Sequence, residues 1–147
     1  MERFRNRQNV FREVDNGPAP FVTNLEQMAL RNPNFRTALW TGPHVQLTVM
    51  SIPVGGEIGL EVHEDTDQIL FIHGGSGQTV MGPTQDTITV QLFVNRGDAI
   101  FVPAGTWHNV INMGRNPLKI STIYAPPEHP HGTVHRTKQE ADMEEGH

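Results

Sequence analysis

Apolar residues in this chain fall in short runs separated by turn residues, and over most of its length they recur every second position. Residues 45–52 alternate a purely apolar set (Val45, Leu47, Val49) with a mixed one, and Pro53-Val54-Gly55-Gly56 then turns the chain. Strands are predicted over 57–63, 68–73, 78–81, 87–94, 99–102, 108–112 and 118–124, each bounded by Gly, Pro, Asn or Asp. Gly74-Gly75-Ser76-Gly77 has the composition of a hairpin closing the strand at 68–73 on the next. One stretch has helical spacing instead: Leu25, Met28 and Ala29 share a face over 23–30, Thr23 and Glu26 are spaced as a capping box, and Asn32-Pro33 stops the helix. The pattern predicts an all-β domain with a short N-terminal helix covering one end.

The ends read differently. Residues 1–20 close in Asp15-Asn16-Gly17-Pro18-Ala19-Pro20 and read as an arm, either a dimer contact or edge-strand cover on one side or a partly ordered terminus on the other. The domain therefore divides into an arm and helix (1–36), a barrel (37–125) and a tail (126–147). In the tail, His129, His131 and His135 stand among prolines, which hinder a shared coordination sphere, so they are expected at the surface or in a lid. From Thr137 the chain is Glu-rich and reads as solvated.

Composition narrows the chemistry. The 147 residues contain no cysteine, so any metal ligands must be His, carboxylate or amide. Net charge is −5, and the only basic cluster, Arg3, Arg5, Arg7 and Arg12, is interleaved with acids, which argues against a nucleic-acid partner. No apolar run has membrane-spanning or secretory character, and a cytoplasmic location is expected.

Two places carry candidate chemistry. After Pro103-Ala104-Gly105, a turn that cannot continue a ladder, His108 begins a strand and is aimed by the turn. Upstream, in 57–63, alternation puts Glu61 and His63 on one face, roughly 6–7 Å apart along the backbone, with Ile58, Leu60 and Val62 on the other. Gln68 opens the following strand and returns toward the same point. A carboxylate buried there without a counter-ion is costly, so the pattern calls either for a cation or for a satisfied network of Glu61, His63 and His108 around water. Tyr124, at the end of the last strand, is a candidate for the same pocket.

Gly97, Pro103, Gly105, His108 and Asn112 match the spacing of the second motif of the cupin superfamily, and the sequence resembles that family over about residues 40–125. The resemblance implies a double-stranded β-helix, or jelly-roll, barrel with a metal centre. In the first cupin motif the histidine pair corresponds to Glu61 and His63, the acidic position to Gln68 and the closing glycine to Gly75. The ligand set implied is Glu61, His63, Gln68 and His108, whose charge of −1 equals that of three imidazoles and a carboxylate. It would hold one divalent transition metal (Fe, Zn, Mn or Ni), with Glu61 and Tyr124 as catalytic candidates. Oxygenase-type or isomerase-type chemistry on a small molecule is expected; the alternative is a non-catalytic small-molecule-binding module. Similar small cupins carry a mannose-6-phosphate-isomerase-like label, but the strands from 45 to 112 contain no Lys or Arg, only Arg96 in a turn, so the expected ligand is not strongly anionic. The apolar face of Ile58, Leu60 and Val62 predicts a homodimer.

Overall fold

The computed structural model describes residues 10–145. Among the described residues, nine strands form two antiparallel sheets. They are β1 (Arg36–Thr41), β2 (Gln46–Ile52), β3 (Asp67–Gly74), β4 (Ser76–Gly82), β5 (Val90–Asn95), β6 (Ala99–Val102), β7 (Trp107–Asn112), β8 (Leu118–Ala125) and β9 (Val134–His135). The larger sheet has the order β6-β3-β8-β2-β1-β9 and the smaller β5-β4-β7. Every pairing is antiparallel, as expected when one sheet face packs on a core and the other faces outward.

Side-chain alternation in the larger sheet decides where the site lies. Across β2, β8 and β3 the rows Met50–Ile120–Ile72, Thr48–Thr122–Leu70 and Gln46–Tyr124–Gln68 face inward. The first row lies in an apolar core with Ile52, Val94, Ile100, Val110 and Leu118, while the last row is polar throughout yet buried. The barrel is therefore apolar at one end and polar at the other, and buried polar groups must find partners or an ion. Outward-facing Leu47 and Val49 pack under helix α1 (Leu25–Arg31) with Met28, Ala29 and Leu39, a second, smaller core.

Several sequence expectations are corrected here. The α1 cap is Asn24, not Thr23: its side chain accepts from the Gln27 amide at 3.0 Å. Both residue types cap well, and the helix simply starts one residue later. The strand predicted over 87–94 begins only at Val90, and Leu92 and Phe93 are both exposed. In the arm, Asp15 accepts from the Thr41 hydroxyl (2.6 Å) and the Gly132 amide (2.9 Å), and the Asn16 amide donates to Leu39 (2.8 Å), so this part of the arm covers the β1 edge. Residues 1–9, with most of the basic cluster, lie outside the described residues.

The Glu-rich end is largely exposed, as expected, but it is a helix docked on the barrel. Helix α2 (Lys138–Glu144) is capped by Thr137, whose hydroxyl accepts from the Glu140 amide at 3.1 Å, and Ala141 joins the main core. Strand β9 pairs with β1, setting His135 opposite Arg36. Among the described residues no helix is long and apolar enough to cross a membrane.

Candidate metal centre

The 57–63 segment is not the regular strand its alternation predicts. It runs antiparallel beside β7, with Ile58 bonded to Val110 (2.9 Å) and Glu61 exchanging both backbone bonds with His108 (3.0 and 2.9 Å). Between those two pairs lie two residues on one side, Gly59 and Leu60, but only Asn109 on the other: a one-residue bulge. Gly59 makes the bulge possible with φ +106°, and Asn109 fastens it by accepting from the Gly59 amide at 2.8 Å. The bulge reverses the parity of everything after it. Ile58 and Glu61 now both point inward, whereas Leu60 is turned to the surface. The continuous apolar face from which a homodimer was expected is therefore not formed, because Ile58 already belongs to the core.

Glu61, thus re-aimed, meets His63 and His108. Its Oε1 lies 3.3 Å from His63 Nε2 and 3.7 Å from His108 Nε2, and one ligand atom from each of the three residues falls within 4.8 Å of the others. Separations of this size are those between neighbouring ligands about 2.0–2.2 Å from a shared ion. His63 is held by its carbonyl, which accepts from the Gly105 amide at 2.8 Å, so the Pro103–Gly105 turn positions two of the three residues.

The donor set fits a metal in its hydrogen bonding as well. His108 Nδ1 donates to the Thr106 carbonyl at 2.9 Å, which presents Nε2 as a lone pair, and His63 Nδ1 lies 3.4 Å from the Glu128 carboxylate. Both Nε2 atoms are buried without an aligned hydrogen bond, and so is Gln68 Oε1, whose amide nitrogen donates to Thr122 at 3.1 Å. Burial alone would raise the Glu61 carboxyl, but the imidazoles of His108 and His63, at 3.7 and 3.3 Å, hold it well below the usual carboxylate range. Burial disfavours a charged His63, yet Glu128 and Glu61 raise its pKa to about 9. In the metal-free chain a proton thus takes the place of the cation that the carboxylates demand.

Tyr124 is fully buried beside this cluster, its ring edge-on to His63 at 5.9 Å and to His129 at 5.1 Å. Burial pushes its hydroxyl up to about 12 despite hydrogen bonds to Thr122 and Arg36. A cavity of about 800 Å³ opens over the centre, lined by Glu61, His63, Gln85 and Trp107 on one side and by Glu128, His129, His135, Glu144 and Glu145 on the other.

Much of that second wall is absent from the sequence reading. His129 and His135 are buried in the barrel mouth rather than placed at the surface, and only His131 is exposed, bonded to the Gly17 carbonyl at 2.8 Å. Gln46 is the cause for His129: its Oε1 accepts from the amides of Glu128 (3.2 Å) and His129 (2.9 Å), while its Nε2 donates to the His129 carbonyl (2.8 Å). Burial, with the nearby charges of Arg36 and His135, lowers the His129 pKa to about 3. Arg36 lies outside the strands from 45 to 112, yet it is buried in the polar end with Nη1 3.0 Å from His135 Nδ1. A single charged residue opening the strand Arg36–Thr41 was the available signal. His73 faces away, bonded to Ser121 Oγ at 2.7 Å.

Comparison with known proteins agrees with this architecture. The profile of the family described as "Cupin domain" matches residues 48–124. The chain is 54% identical over 127 residues to the uncharacterized protein YrkC of Bacillus subtilis, covering 86% of this chain and 68% of that one. It is 37% identical over 122 residues to the uncharacterized protein L612 of Acanthamoeba polyphaga mimivirus, covering 82% and 74%. The crystal structure of BH2720 from Bacillus halodurans superposes with a TM-score of 0.88 at 55% identity, over 88% of this chain and 98% of that one. KdgF from Halomonas sp. (TM-score 0.55, 18% identity, 63% and 80% covered) shares the fold. With its jelly-roll sheets, its Gly97-to-Asn112 motif and a Glu/His/His cluster that could hold a metal, this chain belongs to the cupin family.

Proposed function

We propose that this cupin is a metal-dependent enzyme acting on a small organic molecule, with Glu61, His63 and His108 holding one divalent transition metal and Gln68 as a fourth ligand. The observation that carries the reading is the convergence of the partly buried Glu61 carboxylate with two buried imidazole nitrogens that have no aligned hydrogen bond, under an open cavity. Two imidazoles and one carboxylate are the set suited to Fe(II), and a bound ion would supply Lewis-acid or, as iron, oxygen chemistry at the cavity floor. Glu61 supplies the negative charge of the set. Glu128 orients His63 and the Thr106 carbonyl orients His108, while Tyr124, fully buried and outside the cavity lining, packs edge-on against His63 behind the centre.

One observation favours a second reading, a barrel that holds a small molecule without turning it over. Tyr124 is shifted up to about 12 and His129 down to about 3, so neither flanking group is a ready acid or base near neutral pH. Trp107 lines the cavity and permits a direct test. In a Trp40→Phe background, chelator-treated protein titrated with Mn(II) or Ni(II) should show Trp107 quenching that saturates near one equivalent, and Glu61→Ala should abolish it. Absence of saturable quenching in the parent would remove the metal from the proposal. Incubating the loaded protein with any compound that raises its melting temperature, then analysing for product, separates enzyme from binding module.

A further inference from the structure

The polar end of the barrel holds a second cluster that the metal centre does not use. Arg36 enters it from the start of β1, His135 from β9 and His129 from the segment clamped by Gln46. All three side chains are at least nine-tenths buried. Arg36 Nε, His129 Nε2 and His135 Nε2 have no aligned hydrogen bond. A guanidinium is always charged and presents its donors as a fork, so burying one with a nitrogen unserved is costly unless an anion comes to it.

An anion is present, and the chain itself supplies it. Glu145, directly after α2, places Oε1 3.3 Å from Arg36 Nη1 and 3.5 Å from His129 Nδ1, and Glu144 Oε2 lies 3.1 Å from His135 Nε2. Both residues line the same cavity as Glu61 and His63, Glu144 as the last residue of the seven-residue helix and Glu145 as its C-cap. Their side chains are only partly buried, 25% and 56% exposed, so these carboxylates reach in from the solvent side.

We propose that Arg36, His129 and His135 form a recognition site for the carboxylate of a small organic acid, and that Glu145 occupies it as an internal stand-in until the ligand displaces it. This deepens the metal-dependent reading, since the acid would reach the metal centre through the shared cavity. It also reverses the expectation of a weakly charged ligand, which rested on strands 45–112 alone. Arg36 donates to the carboxylate, His135 Nδ1 accepts from Arg36 and fixes its plane, and His129 Nδ1 offers a second donor.

The test compares acetate with acetamide, which match in size and differ in charge, by NMR titration of the ring resonances of His129 and His135. Chelator-treated and metal-loaded protein are titrated separately. Acetate should give saturable shifts in both forms and acetamide none. Glu145→Gln should strengthen acetate binding about tenfold by removing the internal competitor. Arg36→Gln should abolish it; if that variant does not fold, His129→Asn should weaken it at least severalfold. Equal responses to acetate and acetamide, or unchanged acetate binding in Glu145→Gln and in the Arg36 or His129 variant, would overturn the proposal. Metal content measured on the same samples keeps the two readings apart. Acetate binding by protein that takes up no metal on loading would leave this site standing and sink the metal centre, and metal uptake without acetate binding in either form would do the reverse.

Discussion

Replacing Gln68 by Met separates a structural glutamine from a metal ligand. The side chains are close in length, so the row Gln46–Tyr124–Gln68 stays filled. Without metal, the substitution loses the bond from Nε2 to Thr122 (3.1 Å), about 1 kcal/mol, but also removes a buried carbonyl that no donor reaches, a relief of about 1–3 kcal/mol. The unloaded protein should therefore be no less stable than wild type, or only slightly so. With an unfolding entropy of about 2.1 cal/mol/K per residue, 1 kcal/mol corresponds to about 3 °C in a chain of 147 residues. The loaded protein behaves differently. Each tenfold loss of metal affinity removes about 1.4 kcal/mol of ligand-linked stability, or about 4 °C of the metal-induced rise in Tm. The assay is calorimetry of wild type and Gln68→Met, chelator-treated and with Mn(II) in excess. The account expects unloaded Tm values within about 3 °C of each other, or the variant higher, and a metal-induced rise smaller by about 4 °C or more in the variant. An equal rise in both proteins would remove Gln68 from the ligand set. An unloaded variant that melts about 10 °C lower would show that Oε1 is not an orphan.

Other expectations follow from the same geometry. Gly59→Val forces a β-branched residue to φ +106° and should cost about 1–3 kcal/mol while weakening Mn(II) binding, because the bulge that aims Glu61 must relax; urea unfolding and metal titration measure the two effects. Gln46→Leu leaves the Glu128 and His129 amides and the His129 carbonyl without their partner, so hydrogen exchange at those amides should accelerate at least tenfold relative to wild type. For His129 the folded pKa of about 3 lies below the unfolded value of 6.5, so the unfolded chain takes up the proton first. Its contribution is full above pH 6.5 and is lost as pH falls from there toward 3, by up to about 1.4 kcal/mol per unit. Between pH 6.5 and 5, where carboxylates contribute little, His129→Gln should flatten the urea midpoint of metal-free protein against pH; an unchanged slope would contradict a buried neutral His129.

What the sequence discloses here depends on how far apart the contacting residues lie. The turn from Pro103 to Gly105 and the strand it aims are contiguous, so His108 could be placed from residue types alone. Alternation places Glu61 beside His63, and the two side chains do meet, although the chain does not keep that alternation. The isolated Gly59 inside a strand-like run was the sign of a bulge, and only the pairing with β7 shows that the bulge turns Glu61 inward together with Ile58. Arg36 and His135 are 99 residues apart and meet only because β9 adds to the edge of β1. The prolines around His129 and His131 do hinder a common coordination sphere, but they say nothing of Gln46, which reaches across to hold the backbone of His129. Local patterns report local geometry; the second wall of the cavity is built by long-range pairing.

Elemental analysis of the untagged protein, with His108→Ala and Glu61→Ala beside it, tests the central claim most directly. The account predicts about one transition metal per chain in the wild type, lost in both variants while their folds persist by circular dichroism. No bound metal after incubation with Fe(II), Mn(II), Ni(II) and Zn(II) in turn, or full retention in both variants, would contradict it.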